Sequence, residues 1–246
     1  MSFTIEDMIL IAEKRYEMKF LAGKNGWANS ISWVHLLEGT TIIQNFWGKE
    51  LAVTTGLGFP QKEDWMHLAR QLNQFHASGL IINVGQYIEE VPKELIAYCD
   101  ENDLPLLTVP WEVHLSDMIK DFSIHVFLQD NTDEQIASAL IKVIETPEKQ
   151  NEYRKELLQH FDVDGSFQVF LLTCEGLDAM DTVERKKLSY RIQVYLEDIT
   201  HNASFFYYNS DFVLVANAVP EEFLYQLIEG AIKRGERRMP ELELCV

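Results

Sequence analysis

The sequence is short of basic residues. Its 246 residues include 21 lysines and arginines against 39 aspartates and glutamates, which gives a formal net charge of −18 at pH 7. Proteins that bind nucleic acids need clusters of basic side chains that displace counterions from the phosphates, and adhesion to anionic lipids needs charge of the same sign. The composition therefore argues against contact with DNA, RNA or a membrane surface by these residues.

Cysteine is also scarce, and long apolar runs are missing. The three cysteines lie far apart and form no CxxC pair, at Cys99, Cys174 and Cys245. Such spacing is typical of small buried side chains in a reducing cytosol and disfavours redox or metal roles. The first fifteen residues lack the cationic start of a secretory signal, and no apolar run approaches the ~20 residues of a membrane span. We expect a cytoplasmic protein without a membrane segment.

Recognisable enzyme motifs are missing as well. The seven histidines form no HExxH or similar metal-binding spacing, and there is no Walker A loop, GxGxxG fingerprint or GxSxG nucleophile elbow. No cysteine has a catalytic local signature. The sequence therefore predicts no catalytic residue, no metal site and no cofactor.

The sequence does contain enough apolar residues to form cores. Hydrophobic residues make up 47% of the chain and aromatic residues 11%, and the length suits one large domain or two ordinary ones. In the first half, a Thr4–Asp7 capping box starts a helix, after which short apolar strands alternate with helices. The predicted segments are the strands Ile31–Glu38, Glu50–Thr55, Leu80–Val84 and Leu104–Val109 and the helices Pro60–Ala77, ended by Gly79, and Pro92–Asp100. This alternation predicts an α/β domain over residues 1–114, with a parallel or mixed sheet and flanking helices.

A helical connector is expected over residues 115–160. One predicted helix covers Leu115–Gln129, and a capping box formed by Thr132 and Gln135 starts another. Both helices are too apolar for a solvated linker. We therefore expect them to pack on a domain or on a second copy of the chain.

Residues 161–246 have the element order βαββαβ, which is typical of a ferredoxin-like α+β domain. Asp181 with Glu184 starts one helix, and Pro220 opens another that Gly235 is placed to end. The predicted strands are Phe167–Cys174, Ala203–Tyr208, Phe212–Val219 and Leu242–Val246, with a hairpin turn around Asn209, Ser210 and Asp211. Because the sequence stops inside its last predicted strand, we expect it to be a fragment of a longer protein.

Ligand-binding groups are expected where the parallel strands end, because ligands of open parallel sheets bind beyond the carboxyl ends of the strands. Three turns lie there, at Thr54–Pro60, Gly85–Tyr87 and Pro110–Glu112. The first turn leads into a helix N-terminus, so its amides and threonine hydroxyls suit an anionic or carbonyl-rich ligand. The candidate ligand-binding residues are Trp33, His35, Glu38, Thr54, Thr55, Gly56, Gly58, Asn83, Gly85 and Trp111.

Some candidates also have a purely structural interpretation. Gly56 and Gly58 suit a tight strand-to-helix turn without any ligand. His35 suits a hydrogen-bonded, half-buried position, and Trp111 suits a core or an interface. A basic cluster near the C-terminus is interpreted as a solvated helix end rather than a DNA contact; it consists of Lys233, Arg234, Arg237 and Arg238.

Six segments of the first half occur in an order and spacing shared with one known family. They are Phe20–Gly26, Ser32–His35, Glu50–Gly58, Gly79–Ile82, Val91–Ile96 and Leu104–Glu112. With these segments the chain resembles the N-terminal domain of PucR-type (purine catabolism regulator) transcription factors. The resemblance implies a bacterial regulator whose first domain senses a small metabolite, such as a purine breakdown product or an amino-acid derivative.

The second half resembles the GGDEF-like domain that follows in the same regulators. A working diguanylate cyclase has two glycines and an acidic pair before Phe at its hairpin tip, whereas Tyr208–Phe212 has no glycine and keeps only Asp211 of the pair. Glu175 stands where a metal-binding carboxylate would be. The resemblance therefore implies a non-catalytic assembly or relay module, a homodimer, and DNA binding only through a helix-turn-helix domain that these residues do not include.

The favoured function is a ligand-sensing and dimerising fragment of a transcriptional regulator of nitrogen, purine or amino-acid catabolism. Two alternatives stay open at this point. One is a degenerate nucleotide-binding or cyclase-like enzyme. The other is a structural dimerisation module without a ligand.

Overall fold

A computed structural model describes residues 3–174, 177–197, 199–238 and 244–245. The chain divides into two compact units, of which the first ends at Leu128 and the second begins at Gln129. The division falls inside the predicted helical connector. Each unit has its own sheet and its own hydrophobic core.

The first unit contains a five-stranded mixed sheet. Its strands are β1 (Lys19–Ala22), β2 (Trp33–Leu36), β3 (Glu50–Thr54), β4 (Gly79–Val84) and β5 (Leu106–Pro110). The spatial order is β1-β5-β4-β3-β2; strands β2 to β5 are parallel to their neighbours, and β1 is antiparallel to β5. The helices are α1 (Ile5–Arg15), α2 (Lys62–Gln74), α3 (Lys93–Glu101) and α4 (Leu115–Glu145), the last of which continues into the second unit. The expected α/β fold with a mixed sheet is confirmed.

Helix α1 begins and packs as its sequence predicts. Asp7 accepts a hydrogen bond from the Thr4 amide (3.0 Å), and the Asp7 amide donates to the Thr4 hydroxyl (3.2 Å), which completes the capping box. At the C-cap of the helix, the Tyr16 hydroxyl donates to Asp121 of α4. Burial, reinforced by the Asp121 carboxylate, raises the pKa of Tyr16 to about 12. This contact fixes α4 to α1 within the first unit.

Helix α2 is shorter than predicted, and Gly79 does not end it. The Gln61 amide donates to the Asp64 carboxylate (2.9 Å) at the start of the helix, and at its end His76 adopts a left-handed conformation with φ of 54°. Gly79 is the first residue of β4 instead. A Cβ added at Gly79 would lie 2.9 Å from the Pro105 carbonyl oxygen. Close packing of the backbone at the start of β4 against the residue that precedes β5 therefore explains why this position is a glycine.

Helix α4 is a single helix of 31 residues rather than the two that were predicted. Thr132 and Gln135 lie inside it and form no capping box, because the segment around them contains neither glycine nor proline to interrupt the backbone. In the first unit it buries Met118, Phe122 and Val126, which recur at i, i+4 and i+8. Among the described residues, no helix combines the length and apolar character that a membrane crossing requires.

The second unit contains a four-stranded antiparallel sheet. Its strands are β6 (Phe167–Cys174), β7 (Ala203–Tyr208), β8 (Asp211–Asn217) and β9 (Leu244–Cys245), in the spatial order β7-β8-β6-β9. The helices that follow α4 are α5 (Gln150–Leu157), α6 (Thr182–Glu197) and α7 (Glu221–Arg238). From β6 onward the order is βαββαβ, as predicted, and Gly235 lies inside α7 rather than ending it.

The predicted hairpin between β7 and β8 is confirmed, with its turn at the predicted residues. Asn209 and Ser210 have φ of 51° and 76°, which with the Tyr208–Asp211 pairing is a two-residue turn of type I′. Next to the turn, Phe212 is fully buried and stacks on Phe205 with 5.2 Å between ring centroids. Glu175, which the resemblance to a GGDEF-like domain places at the position of a metal-binding carboxylate, lies outside the described residues.

Cys99 is a buried core residue, as its isolated position predicted. It is fully buried in α3, among the apolar side chains of the first core. Burial raises the pKa of its thiol to about 12, so the thiol is protonated at neutral pH. A protonated, inaccessible thiol is a poor nucleophile, which fits a structural role.

Candidate functional site

The ends of β2 and β3 bring together what we call the Glu38 turn, formed by Glu38, Thr54, Thr55, Gly56 and Gly58. The parallel register pairs Leu36 with Val53, so the residues that follow both strands meet at the same edge of the sheet. The Glu38 carboxylate there accepts hydrogen bonds from the Thr55 amide (2.9 Å), the Thr55 hydroxyl (2.6 Å), the Thr54 hydroxyl (3.3 Å) and the Gly58 amide (3.3 Å). The Gly56 amide donates to the Thr54 hydroxyl (3.1 Å).

The two glycines of the Glu38 turn are required by geometry. Gly56 has φ of +86°, a conformation that side chains other than glycine adopt with strain. A Cβ added at Gly58 would lie 2.1 Å from the Glu38 carbonyl oxygen, which is far inside contact distance. The backbone of the turn is therefore pressed directly against the backbone that carries Glu38.

This geometry changes the chemistry expected of the turn. The amides and threonine hydroxyls that the sequence offered to an anionic ligand already donate to an internal carboxylate. A second anion at the same donors would face the Glu38 charge and would have to displace it. The four internal hydrogen bonds also occupy the acceptor sites of the Glu38 carboxylate, so this edge of the sheet repels an anion without offering the carboxylate as a free acceptor.

The ends of β4 and β5 form a second group, which we call the Trp111 corner and which consists of Asn83, Gly85, Tyr87 and Trp111. The buried Asn83 side-chain amide donates to the Pro110 carbonyl (2.6 Å). A Cβ added at Gly85 would lie 2.4 Å from the Trp111 Cβ, so only glycine lets the indole approach. Tyr87 and Trp111 contact edge to face, with ring centroids 5.5 Å apart. Tyr87 is 45% exposed, so this aromatic pair is open to solvent on one side.

The Glu38 turn and the Trp111 corner adjoin each other through Ile88. The Gly85 amide donates to the Ile88 carbonyl (2.7 Å), which closes the second turn. A Cβ added at Gly56 would lie 3.2 Å from both Ile88 Cγ2 and Trp65 Cζ2. Ile88 and Trp65 were not among the sequence candidates, because only the tertiary fold brings them to the glycine turn.

Trp33 and His35 lie away from both groups. Trp33 pairs with Glu50 at the beginning of β3, about 13 Å along the strand from Thr54 at 3.3 Å per residue. His35 pairs with Ala52 and stacks on Phe46 with ring centroids 5.1 Å apart. Burial lowers the pKa of the His35 imidazole, which favours its neutral form. Of the ten candidates, these two are not brought to the carboxyl edge.

Within the part of the chain that the structure describes, no three His, Cys, Asp or Glu side chains are grouped in a way that could hold a metal ion. In the C-terminal basic cluster, the exposed Lys233 pairs with Glu229 one helical turn earlier (3.0 Å). The hydrogen bond to Glu229 raises the pKa of Lys233. This pairing is typical of a solvated helix surface.

Replacing Glu38 by glutamine is expected to destabilise the first unit by about 2 kcal/mol, because four donors lose a charged acceptor and the new side-chain NH₂ faces N–H groups. Urea unfolding followed by tryptophan fluorescence measures the change. The matched control is Glu89→Gln, an exposed carboxylate on the same edge, which should change the stability by less than about 0.5 kcal/mol. Equal effects of the two substitutions would show that the Glu38 hydrogen bonds contribute nothing.

Comparison with known proteins identifies the region that contains this site. Residues 9–126 match the model of the Purine catabolism regulatory protein-like (PucR) family, which is just under half of the chain. The chain is also similar to the Purine catabolism regulatory protein of Bacillus subtilis (strain 168), with 27% identity over 107 residues, or 43% of this chain. The chain spans 20% of the length of that relative. No solved structure matches the chain.

Proposed function

We propose that the first unit is the metabolite-sensing domain of a transcriptional regulator of nitrogen, purine or amino-acid catabolism. The observation that carries the proposal is the family match over residues 9–126, which takes in nearly the whole first unit and both halves of the candidate site. The regulatory relative named for purine catabolism supports the same assignment.

The geometry of the carboxyl edge suggests which kind of metabolite binds. Glu38 places a carboxylate at the turn, and Tyr87 with Trp111 offers a partly open aromatic surface next to it. A small, flat, neutral molecule would lie against the aromatic rings and avoid repulsion by the Glu38 carboxylate. Neutral purine breakdown products have this character.

We assign to helix α4 the transmission of ligand binding from the candidate site to the rest of the protein. It begins at Leu115, five residues after β5 ends at Pro110, so the Trp111 corner directly precedes it. In the first unit the helix leaves a strip of apolar side chains exposed, at Ile124, Phe127 and Leu128. We assign this strip to contact with a second copy of the chain, so that the ligand biases the arrangement of a homodimer.

The proposal assigns no catalysis to the second unit and no DNA contact to these 246 residues. The hairpin tip at Asn209 and Ser210 is a closed two-residue turn whose side chains stand where a nucleotide-binding tip needs glycine. The net charge of −18 disfavours phosphate binding. DNA contact is assigned to a helix-turn-helix domain that is not among these residues.

The proposal is tested by the melting temperature of the 246-residue protein with a panel of purine bases, ureides and amino-acid derivatives. A true ligand at about 100 times its Kd contributes about 2.7 kcal/mol, which corresponds to a rise of roughly 5 to 10 °C for a chain of this size. Thr55→Ala and Gly56→Ala should abolish the rise, and Gly39→Ala, which sits in open space beside the turn, should keep it. A rise in melting temperature that persists in both turn variants would show that the ligand does not bind at this site.

A further inference from the structure

The second unit contains a cleft that is separate from the candidate site of the first. We call it the Arg185 cleft; it has a volume of about 560 Å³ and lies between α4, α6 and the edge strand β7. Apolar side chains such as Ala137, Ile141 and Phe206 form much of its lining. Its size falls within the range of small-molecule sites, roughly 300–1,000 Å³.

Two buried polar atoms of α6 in this cleft have no hydrogen-bond partner among the described residues. They are Arg185 Nε and Ser189 Oγ. The two residues are four positions apart on one helix, so they lie on the same face, one turn above the other. Buried polar groups in folded proteins are nearly always paired, so an unpaired one calls for a partner from outside the chain, such as a water, an ion or a ligand. Arg185 Nε–H can only donate and the Ser189 hydroxyl can donate or accept, so a molecule that accepts hydrogen bonds can pair with both.

Arg185 is already held in position for such a ligand. Its Nη1 donates to the Tyr207 hydroxyl (2.6 Å), and its guanidinium carbon lies 4.6 Å from the centroid of the Tyr207 ring. These contacts fix the plane of the guanidinium. Its Nε–Nη2 edge presents two parallel N–H donors; because Nε is buried, a ligand reaches this edge only when a neighbouring side chain of the cleft moves aside. That edge matches the two oxygens of a carboxylate. Fixing the side chain in advance reduces the entropy lost on binding.

The edge strand β7 does not accept an added peptide strand. The buried Gln193 side chain accepts from the Phe205 amide (2.7 Å) and donates to the Ala203 carbonyl (3.3 Å), as a neighbouring strand would. Across the cleft, Lys186 Nζ of α6 lies 2.6 Å from Glu134 Oε1 of α4 and ties the two helical walls together. An added β-strand would have to displace both contacts. The cleft is therefore built for a small molecule rather than for a peptide strand.

The charges around the cleft favour an anion even though the chain as a whole is strongly acidic. Three consecutive basic residues of α6 line it, Arg185, Lys186 and Lys187, opposite Asp133 and Glu134 of α4. The Lys186–Glu134 pair is mutually neutralised. Because much of the remaining lining is apolar, a singly charged organic acid fits better than a multiply charged phosphate, whose oxygens would need more donors.

We propose that the Arg185 cleft binds a small organic carboxylate with an apolar body. The carboxylate accepts hydrogen bonds from Arg185 Nε–H and Ser189 Oγ–H, and the apolar part lies against Ile141 and Phe206. The site belongs to the second unit and is independent of the proposed function of the first.

The test is a calorimetric titration of the 246-residue protein with benzoate and hexanoate as probes. Benzamide serves as the uncharged match to benzoate, and inorganic phosphate as the alternative anion. Both carboxylates are expected to bind, and benzamide and phosphate are expected to bind at least about tenfold more weakly. Equal binding of benzamide, or binding of phosphate as tight as that of benzoate, would overturn the carboxylate assignment. So would a lack of binding by either carboxylate at 10 mM, roughly the weak limit for fragment-sized ligands.

Variants locate the site. Arg185→Lys keeps the charge but loses the paired donors, and Ser189→Ala removes the hydroxyl; each should weaken benzoate binding by about tenfold. Arg154→Lys, at a partly exposed position of the same unit, and Ser166→Ala, at an exposed one, should leave it unchanged. Without ligand, Ser189→Ala should not lower the melting temperature, because its hydroxyl has no partner among the described residues. A lower melting temperature with unchanged benzoate binding would assign Ser189 a structural role and refute the proposal.

Discussion

Replacing Gly58 by alanine is expected to destabilise the first unit by about 3 kcal/mol, the upper end of what overpacking usually costs. The added Cβ would lie 2.1 Å from the Glu38 carbonyl oxygen and 2.6 Å from the Glu38 carbonyl carbon. Both are backbone atoms, so no side-chain rotation relieves the clash. The turn must move away from the Glu38 backbone, and that movement also lengthens the hydrogen bonds to the Glu38 carboxylate.

The protein offers a direct readout and a close control for this substitution. All five tryptophans belong to the first unit, so tryptophan fluorescence during urea unfolding reports on that unit. Gly39 follows Glu38 in the chain, and a Cβ added there meets nothing within 4 Å. Gly39→Ala should therefore change the stability by less than about 0.5 kcal/mol. If Gly58→Ala were as mild as Gly39→Ala, the close approach of the turn to the Glu38 backbone would be wrong.

Replacing Phe212 by alanine is expected to destabilise the second unit by about 3–5 kcal/mol, the usual cost of truncating a buried phenylalanine. Phe212 is fully buried and contacts the rings of Phe205 and Tyr207, with centroids 5.2 Å and 5.8 Å away. Removing the ring leaves a cavity in the middle of the second core, next to the hairpin turn.

Hydrogen exchange of β7 and β8 measures the effect within the second unit. Amides of both strands should exchange faster by two or more orders of magnitude in Phe212→Ala, since about 1.4 kcal/mol corresponds to a factor of ten. Phe212→Leu keeps most of the volume and should cost less than about 1.5 kcal/mol. Tyr225→Ala, which removes a ring that is 64% exposed, should leave the exchange of these strands unchanged. An equal acceleration by Tyr225→Ala would show that Phe212 is not the central packing residue.

Elements with a strong local signal could be predicted from the sequence. Strands β3 to β5 are apolar runs bounded by glycine or proline, and Thr4 and Asp7 mark the start of α1 by their side-chain chemistry. Strand β1 (Lys19–Ala22) has only four residues and no strong apolar pattern, and its pairing with β5 joins distant parts of the chain. It could not be recognised without the tertiary fold.

The predicted helix end at Gly79 and the predicted helix start at Thr132 are wrong because each residue type serves more than one structural role. Gly79 looks like the end of α2 but supplies close packing at the start of β4, while His76 adopts the left-handed conformation that ends the helix region. Thr132 favours a helix start only where the backbone is already interrupted, and inside α4 it is not.

The meeting of the strand ends at one edge of the sheet could be predicted from the sequence, whereas ligand binding there stays a prediction. The rule that ligands bind at the carboxyl ends of parallel strands placed the glycine turn correctly beside the ends of β4 and β5. That Glu38 would fill the turn depends on the register of β2 against β3, which the sequence does not encode locally. The same register separates Trp33 from the turn.

Metabolite binding at the carboxyl edge of the first sheet is tested most directly by hydrogen exchange of the 246-residue protein. Exchange is measured with and without the metabolite from the panel that raises the melting temperature most. We expect slower exchange in residues 54–58 and 85–88 and at the start of α4, with no such protection in Thr55→Ala. A panel without any stabilising metabolite, or protection confined to other parts of the chain, would contradict it.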